Sequence, residues 1–171
     1  VKIKANRRRI LSSLPIHTIS NDLLLKILNH NNVSSENIEE IQKSVSFQKE
    51  ILKNIIEKNQ FEDEILELSR EEFKQSPLSL FLADNFYEKK IYYTYEDYLE
   101  HLRLTKIYEK NHPNYKVSVS NKNKAFKNIQ ILICDKNWVM ISKANSPSIH
   151  FVIHHAKLRN AIENFIPPIV E

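Results

Sequence analysis

The sequence predicts an α+β fold, an N-terminal helical segment followed by a small antiparallel β-sheet packed against two or more helices. Two observations carry this. Residues 20–76 place apolar side chains at helical spacing behind Ser, Asn and Asp caps. Residues 128–168, NIQILICDKNWVMISKANSPSIHFVIHHAKLRNAIENFIPP, read as two strands joined by a tight turn, a third strand, and an amphipathic helix stopped by two prolines. The chain thus divides into a linker or irregular arm (1–19), a helical segment (20–76) and an α+β domain (77–171), with 20–171 as a single domain the alternative.

Taken in order, residues 1–19 look extended and are interrupted by Pro15. Ser20-Asn21-Asp22 offers N-cap oxygens, and Leu23, Leu24, Ile27 and Leu28 follow on one face. Asn29-His30-Asn31-Asn32 stops that helix, an Asn taking the left-handed position where Gly is commoner. Ser34-Ser35 caps the next segment, whose Ile38, Ile41, Val45, Phe47, Ile51, Leu52, Ile55 and Ile56 make one long helix, or two with a break near Ser46. Phe61, Ile65 and Leu66 extend the helical reading by another turn or two. Ser69 and Glu72 match a capping box ahead of a short helix.

From Pro77 the character changes. Residues 78–82 and 90–93 read as short strands around a loop. Thr94 and Asp97 resemble a capping box for a helix from Tyr95 to Asn111, ended by His112-Pro113 because a residue before proline disfavours the α region. Tyr115–Val119 reads as a strand and residues 121–127 as a basic loop. Ile129, Ile131 and Ile133 alternate with Gln130, Leu132 and Cys134, a strand with both faces partly covered. Asp135-Lys136-Asn137 is hairpin chemistry, returning through Trp138. Ile149, Phe151 and Ile153 share a face of the next strand. Leu158, Ala161, Ile162 and Phe165 give the apolar stripe of a covering helix.

Composition bounds the function. With 171 residues, 42% apolar and 27% charged, the chain is an ordinary globular one. No apolar run is long enough to span a bilayer, and no signal peptide is visible, so no membrane is expected as a partner. The start Val-Lys-Ile-Lys reads as a fragment of a longer chain. The single Cys134 rules out an internal disulfide and fits a reducing cytoplasm, the expected location. There is no glycine at all. A P-loop and a dinucleotide fingerprint both need glycines where backbone meets phosphate, so the usual ATP, GTP and NAD motifs are absent and no cofactor is expected. Charge is uneven: residues 1–31 are basic, residues 32–76 acidic, and the rest basic again, for a net +4. Arg7-Arg8-Arg9 resembles a nucleic-acid patch, against the plainer reading of a solvated linker.

Candidate chemistry is sparse. His150 and His154 share a strand face, where two imidazoles could reach one metal or anion with His101 or His112 added; the plainer reading is hydrogen-bonded strand-end residues. Cys134 as a nucleophile competes with Cys as a small apolar residue. Tyr92, Tyr93, Tyr95, Tyr98 and Tyr108, with Phe86 and Tyr87, fit either a ligand pocket or core stacking. Lys122, Lys124, Lys127 and Lys143 fit an anion site or solvated loops. The face singled out for a ligand combines Tyr92, Tyr93, Trp138, Lys143, His150 and His154. No catalytic or metal residue is assigned.

The block from Tyr92 onward, with WVMISK, SPSIHFVIHH and FIPP, resembles the C-terminal region of helix-turn-helix (phage-repressor, XRE-type) transcriptional regulators of Firmicutes. The resemblance covers about half the chain. Asn137 and Ala156 depart from it, standing where Gly and Pro are usual. It implies a non-enzymatic regulatory and dimerisation domain with a homodimer partner, a small-molecule effector, and DNA bound through a domain absent from this chain. The alternatives are a small His-dependent hydrolase, and a protein-interaction module presenting an apolar stripe such as Ile51, Leu52 and Ile55 on the acidic helices.

Overall fold

The computed structural model describes residues 7–11, 14–75, 80–84, 89–119, 129–134, 137–143 and 149–165. In chain order the elements are β1 (Arg7–Ile10), α1 (Asn21–His30), α2 (Ser35–Lys58), β2 (Phe61–Ile65), α3 (Arg70–Gln75), β3 (Leu80–Asp84), β4 (Lys89–Tyr92), α4 (Tyr95–Asn111), β5 (Tyr115–Val119), β6 (Ile129–Cys134), β7 (Trp138–Lys143), β8 (Ile149–His154) and α5 (Ala156–Phe165). The fold is α+β, as expected. The main sheet has six strands in the order β5-β2-β1-β6-β7-β8, and β3-β4 form a separate hairpin. It is larger than expected and mixed: β1/β2 and β2/β5 are parallel, while β1/β6, β6/β7 and β7/β8 are antiparallel.

Two expectations are corrected here. Residues 7–10 are not an irregular arm or a solvated basic patch but an inner strand. Residues 61–65 are not a further helical turn but the strand beside it. The register sets Arg8 by Glu62 and Arg9 by Asp63. Arg8 Nη2 lies 2.6 Å from Glu64 Oε2, both side chains buried. Arg9 grips both oxygens of Asp63 from Nε and Nη2, at 2.6 and 2.7 Å. The Tyr115 hydroxyl donates to Asp63 Oδ2 at 2.6 Å. Alternation along a strand puts the Arg8–Glu64 pair on one face and the Arg9–Asp63–Tyr115 group on the other. Each charged side chain therefore sits in the sheet because its partner is on the neighbouring strand. That hides both strands from any reading of apolar periodicity.

The sheet joins the segments that the sequence divides. β1 and β2 come from residues before Pro77, and their neighbours β5 and β6 from after it. The main core likewise mixes them: Leu24, Ile27, Leu28, Ile41 and Val45 from α1 and α2 pack with Ile65, Ile91, Tyr98 and Leu102. A second core lies between β6–β8 and α5, from Ile131, Ile133 and Val139 with Ile153 and Ile162 against them.

Local signals hold where the partner is close in sequence. Ser20 Oγ accepts from the Leu23 N–H at 3.2 Å, and Thr94 Oγ1 from the Asp97 N–H at 3.1 Å. Ser69 and Glu72 close a full capping box: Glu72 Oε2 accepts from the Ser69 N–H, and Ser69 Oγ from the Glu72 N–H. Residues 35–58 form one unbroken helix of 24 residues. Asn32 has φ of 52°, the left-handed turn expected after α1. α5 differs from its expected stripe: Leu158 and Ala161 are exposed, while Arg159, ion-paired to Glu163 one turn on, is buried. The turn at Asp135-Lys136 and the basic loop lie outside the described residues.

Removing one member of a buried pair strands the other charge, so Glu64→Gln is expected to lower unfolding free energy by about 3 kcal/mol in urea titration. Replacing both, as Arg8→Met with Glu64→Leu, removes the need for the pair and should recover most of that loss. Equal losses in the single and double variants would show that the ion pair itself carries the stability.

Candidate functional site

The expected ligand face divides between distant parts of the fold. Trp138, His150 and His154 come together on the β7–β8 ribbon, whose register pairs Trp138 with His154 and Ser142 with His150. The Trp138 and His154 rings lie 6.2 Å apart, tilted by 32°. Ser142 Oγ, buried, is 2.7 Å from His150 Nδ1. Pairing and alternation place Met140 and Val152 on the same face. Lys143 pairs with Ile149 at the end of the ribbon; its side chain lies outside the description. This is a shallow, largely exposed surface of one indole, two imidazoles and apolar atoms.

Tyr92 and Tyr93 lie elsewhere, where β4 runs into α4. The backbone N–H of Tyr92 donates to Asn31 Oδ1 and its carbonyl accepts from Asn31 Nδ2, both at 2.9 Å. Tyr93 is buried, and its hydroxyl bonds His101 Nδ1. α4 packs against β5, and β5 and β8 are the two outer strands of the sheet. The six residues do not form one ligand face: Tyr92 and Tyr93 belong to the β3–β4 hairpin and its junction with α4, while Trp138, Lys143, His150 and His154 belong to the six-stranded sheet.

The other tyrosines are core residues. The Tyr98 hydroxyl donates to the Leu66 carbonyl and accepts from the Leu68 N–H, and the Tyr95 hydroxyl donates to the Leu68 carbonyl. They tie α4 to the chain leaving β2. Phe86, Tyr87, Lys122, Lys124 and Lys127 lie outside the described residues.

The histidines separate by role. His155 caps α5, its Nδ1 accepting from the Leu158 N–H at 3.2 Å. Ala156 is thus the first helical residue, a position that suits Pro equally well. His150 and His154 are four residues apart on a strand, about 13 Å along it, so one small ion cannot take both. His101 is in the core and His112 stacks on Tyr108 at the end of α4. Among the described residues no group of three His, Cys, Asp or Glu could hold a metal ion. Cys134 is buried within β6. Among them, too, no helix is long and apolar enough to cross a membrane.

Two buried imidazoles escaped the sequence reading as a pair. His101 Nε2 lies 3.0 Å from the Pro15 carbonyl, an acceptor only, so Nε2 carries the proton and Nδ1 accepts from Tyr93. Thr18 Oγ1 stands 3.1 Å from the same Nε2 and 2.7 Å from Thr105 Oγ1. His17 sits edge-on between the Tyr108 and Tyr115 rings, near Arg9. Burial lowers the pKa of His101 to about 4 and that of His17 to about 3. These groups fasten the segment after β1 onto α4, a structural role. Only the pairing of a histidine in the N-terminal segment with a distant helix could have revealed it, and that is a tertiary fact.

No protein-family model matches the chain, and neither a characterised protein nor a solved structure matches it.

Both imidazoles are neutral in the folded state and protonate near pH 6.5 once unfolded. From about pH 6.5 down to about 4.5 the unfolded state therefore binds more protons, and stability should fall as pH falls. The slope should approach two protons, roughly 2.7 kcal/mol per pH unit. His17→Phe should remove about one of them, read from urea midpoints across that range. An unchanged slope would mean that His17 titrates alike in both states.

Proposed function

We propose that this chain is the C-terminal regulatory and dimerisation domain of a bacterial transcriptional regulator whose DNA-binding domain lies outside it, and that it acts without catalysis. The observation that carries the reading is the outer strand β8. It ends the sheet with Ile149, Phe151 and Val152 exposed, and Leu158 of α5 is exposed just after it. Four of the nine large exposed apolar side chains among the described residues thus fall within residues 149–158. Alternation puts Ile149 and Phe151 on one face and Val152 on the other, so exposed apolar side chains flank the outer edge of the strand on both faces, a surface for association. Two-fold association suits a regulator, because paired DNA half-sites are read by paired domains. The resemblance of residues 92–171 to such regulators points the same way.

The effector surface in this reading is the ribbon face bearing Trp138, His150 and His154. An indole and imidazoles favour a planar or anionic small molecule, held by stacking and hydrogen bonds.

A second reading rests on α2. Phe47 and Ile51, one turn apart, are exposed, with Glu39, Lys43 and Glu50 beside Phe47. Leu52 and Ile55 pack instead against Ile56, Phe61 and Tyr115, so the expected apolar stripe is narrower than a long docking helix needs.

Light scattering over a concentration series should give twice the chain mass at low micromolar concentration. A strict monomer would remove the regulatory reading and favour α2 as the working surface. Trp138 is the only tryptophan in the chain. Its fluorescence should therefore respond to an effector found by thermal shift, and the response should be lost in His154→Ala. An effector that leaves the indole emission unchanged binds elsewhere.

A further inference from the structure

The two outer edges of the sheet are built differently. On β5, the Val117 N–H that faces away from β2 is taken by Glu109 Oε1 of α4 at 3.0 Å, and Lys116 is exposed on the same strand. A side-chain acceptor and a lysine are both devices that prevent another strand from adding there. On β8, residues 149–154 read IHFVIH, with no Lys, Arg, Asp, Glu or Pro. The strand pairs with β7 through six consecutive residues without a bulge, and no backbone group among the described residues bonds its outer side. One edge carries a side-chain acceptor and a lysine; the other is unbulged and free of Lys, Arg, Asp, Glu and Pro.

We infer that β8 pairs antiparallel with β8 of a second copy of this chain, centred on Phe151, so that the two six-stranded sheets run on as one. This deepens the dimerisation reading above and rests on it. The choice of occupant comes from the pattern of the strand. A two-fold axis perpendicular to a sheet sets one residue opposite its own copy, which leaves Phe151 or Val152 at the centre. Around Phe151 the sequence is symmetric in character: Ile149 then faces Ile153 of the second copy, and Phe151 faces Phe151. Those six side chains all lie on the face that carries Val139, Ile153 and α5 through Ile162. They form one apolar strip, with a copy of α5 and its exposed Leu158 on the same side. Aromatic and β-branched cross-strand pairs are the favourable ones in a sheet. His150 then lies opposite Val152, so no imidazole faces another. Centring on Val152 would instead set His150 against His154 twice.

Single cysteines test the register directly, since the native Cys134 is buried. Under mild oxidation Phe151→Cys should form a covalent dimer on a non-reducing gel, and Val152→Cys and the parent chain should not. Cross-linking of Val152→Cys in place of Phe151→Cys would overturn the register. If neither links while light scattering of the parent still gives a dimer, the interface lies elsewhere; the inference fails and the dimerisation reading stands. A monomeric parent fails both. As a second measurement, Phe151→Lys, a substitution at an exposed side chain, should weaken association at least tenfold with the melting of the monomer unchanged. Unweakened association would equally overturn the inference.

Discussion

The arginine–carboxylate contacts between β1 and β2 are the constraint on which the rest of this molecule depends. Arg8 with Glu64, and Arg9 with Asp63 and Tyr115, bring two charged strands side by side in the sheet. Burial of an ion is expensive unless a partner and further hydrogen bonds meet it. Here the bidentate grip of Arg9 and the Tyr115 hydroxyl supply them, and Asp63 is completely buried as a result. With β1 fixed, β6 has a strand to pair with, and β7 and β8 follow by hairpin pairing. With β2 fixed, β5 adds in parallel, and α4 lies against it.

A second set of buried polar contacts locks the helical layer to that sheet. His101 joins Pro15, Thr18 and Tyr93, and Tyr98 joins Leu66 and Leu68. The bonds to the Pro15 and Leu66 carbonyls and the Leu68 N–H meet backbone groups of connecting segments that would otherwise be left unpaired on burial. They explain why aromatic and histidine residues are dense around α4. The lowered pKa values of His17 and His101 follow from the same burial, and they tie the stability of this layer to acidity.

Chemistry on the ribbon face is modest by comparison. Ser142 fixes His150, and Trp138 leans on His154, but no carboxylate joins them in the described contacts. The asymmetry of the sheet edges matters more. Glu109 of α4 takes an outward N–H of β5, while β8 ends the sheet on the other side with an unbulged strand.

Much of the local structure was legible in the residues. The serine and threonine caps, the left-handed Asn32, the limits of α4 at Tyr95 and Asn111, and the strands β5 to β8 all follow from short-range rules, because their causes lie within a few residues. The charge pattern also held a clue: a basic block before residue 31 and an acidic one before residue 76 are complementary, and β1 and β2 are where they meet. What only the tertiary structure decided is which distant groups become neighbours. RRRI and FEDEI carry no apolar alternation, so each is a strand only because the other is beside it. Likewise Tyr92 and His150 each look apt for a ligand, yet Tyr92 belongs to the separate β3–β4 hairpin and His150 to the outer strand of the main sheet. By itself the sequence determined the helices, the turns and the antiparallel ribbon, where hydrogen-bond partners are near in the chain. The pairing of β1 with β2 and of β2 with β5, and the charges buried between β1 and β2, came from contacts across more than fifty residues, which local propensity does not encode.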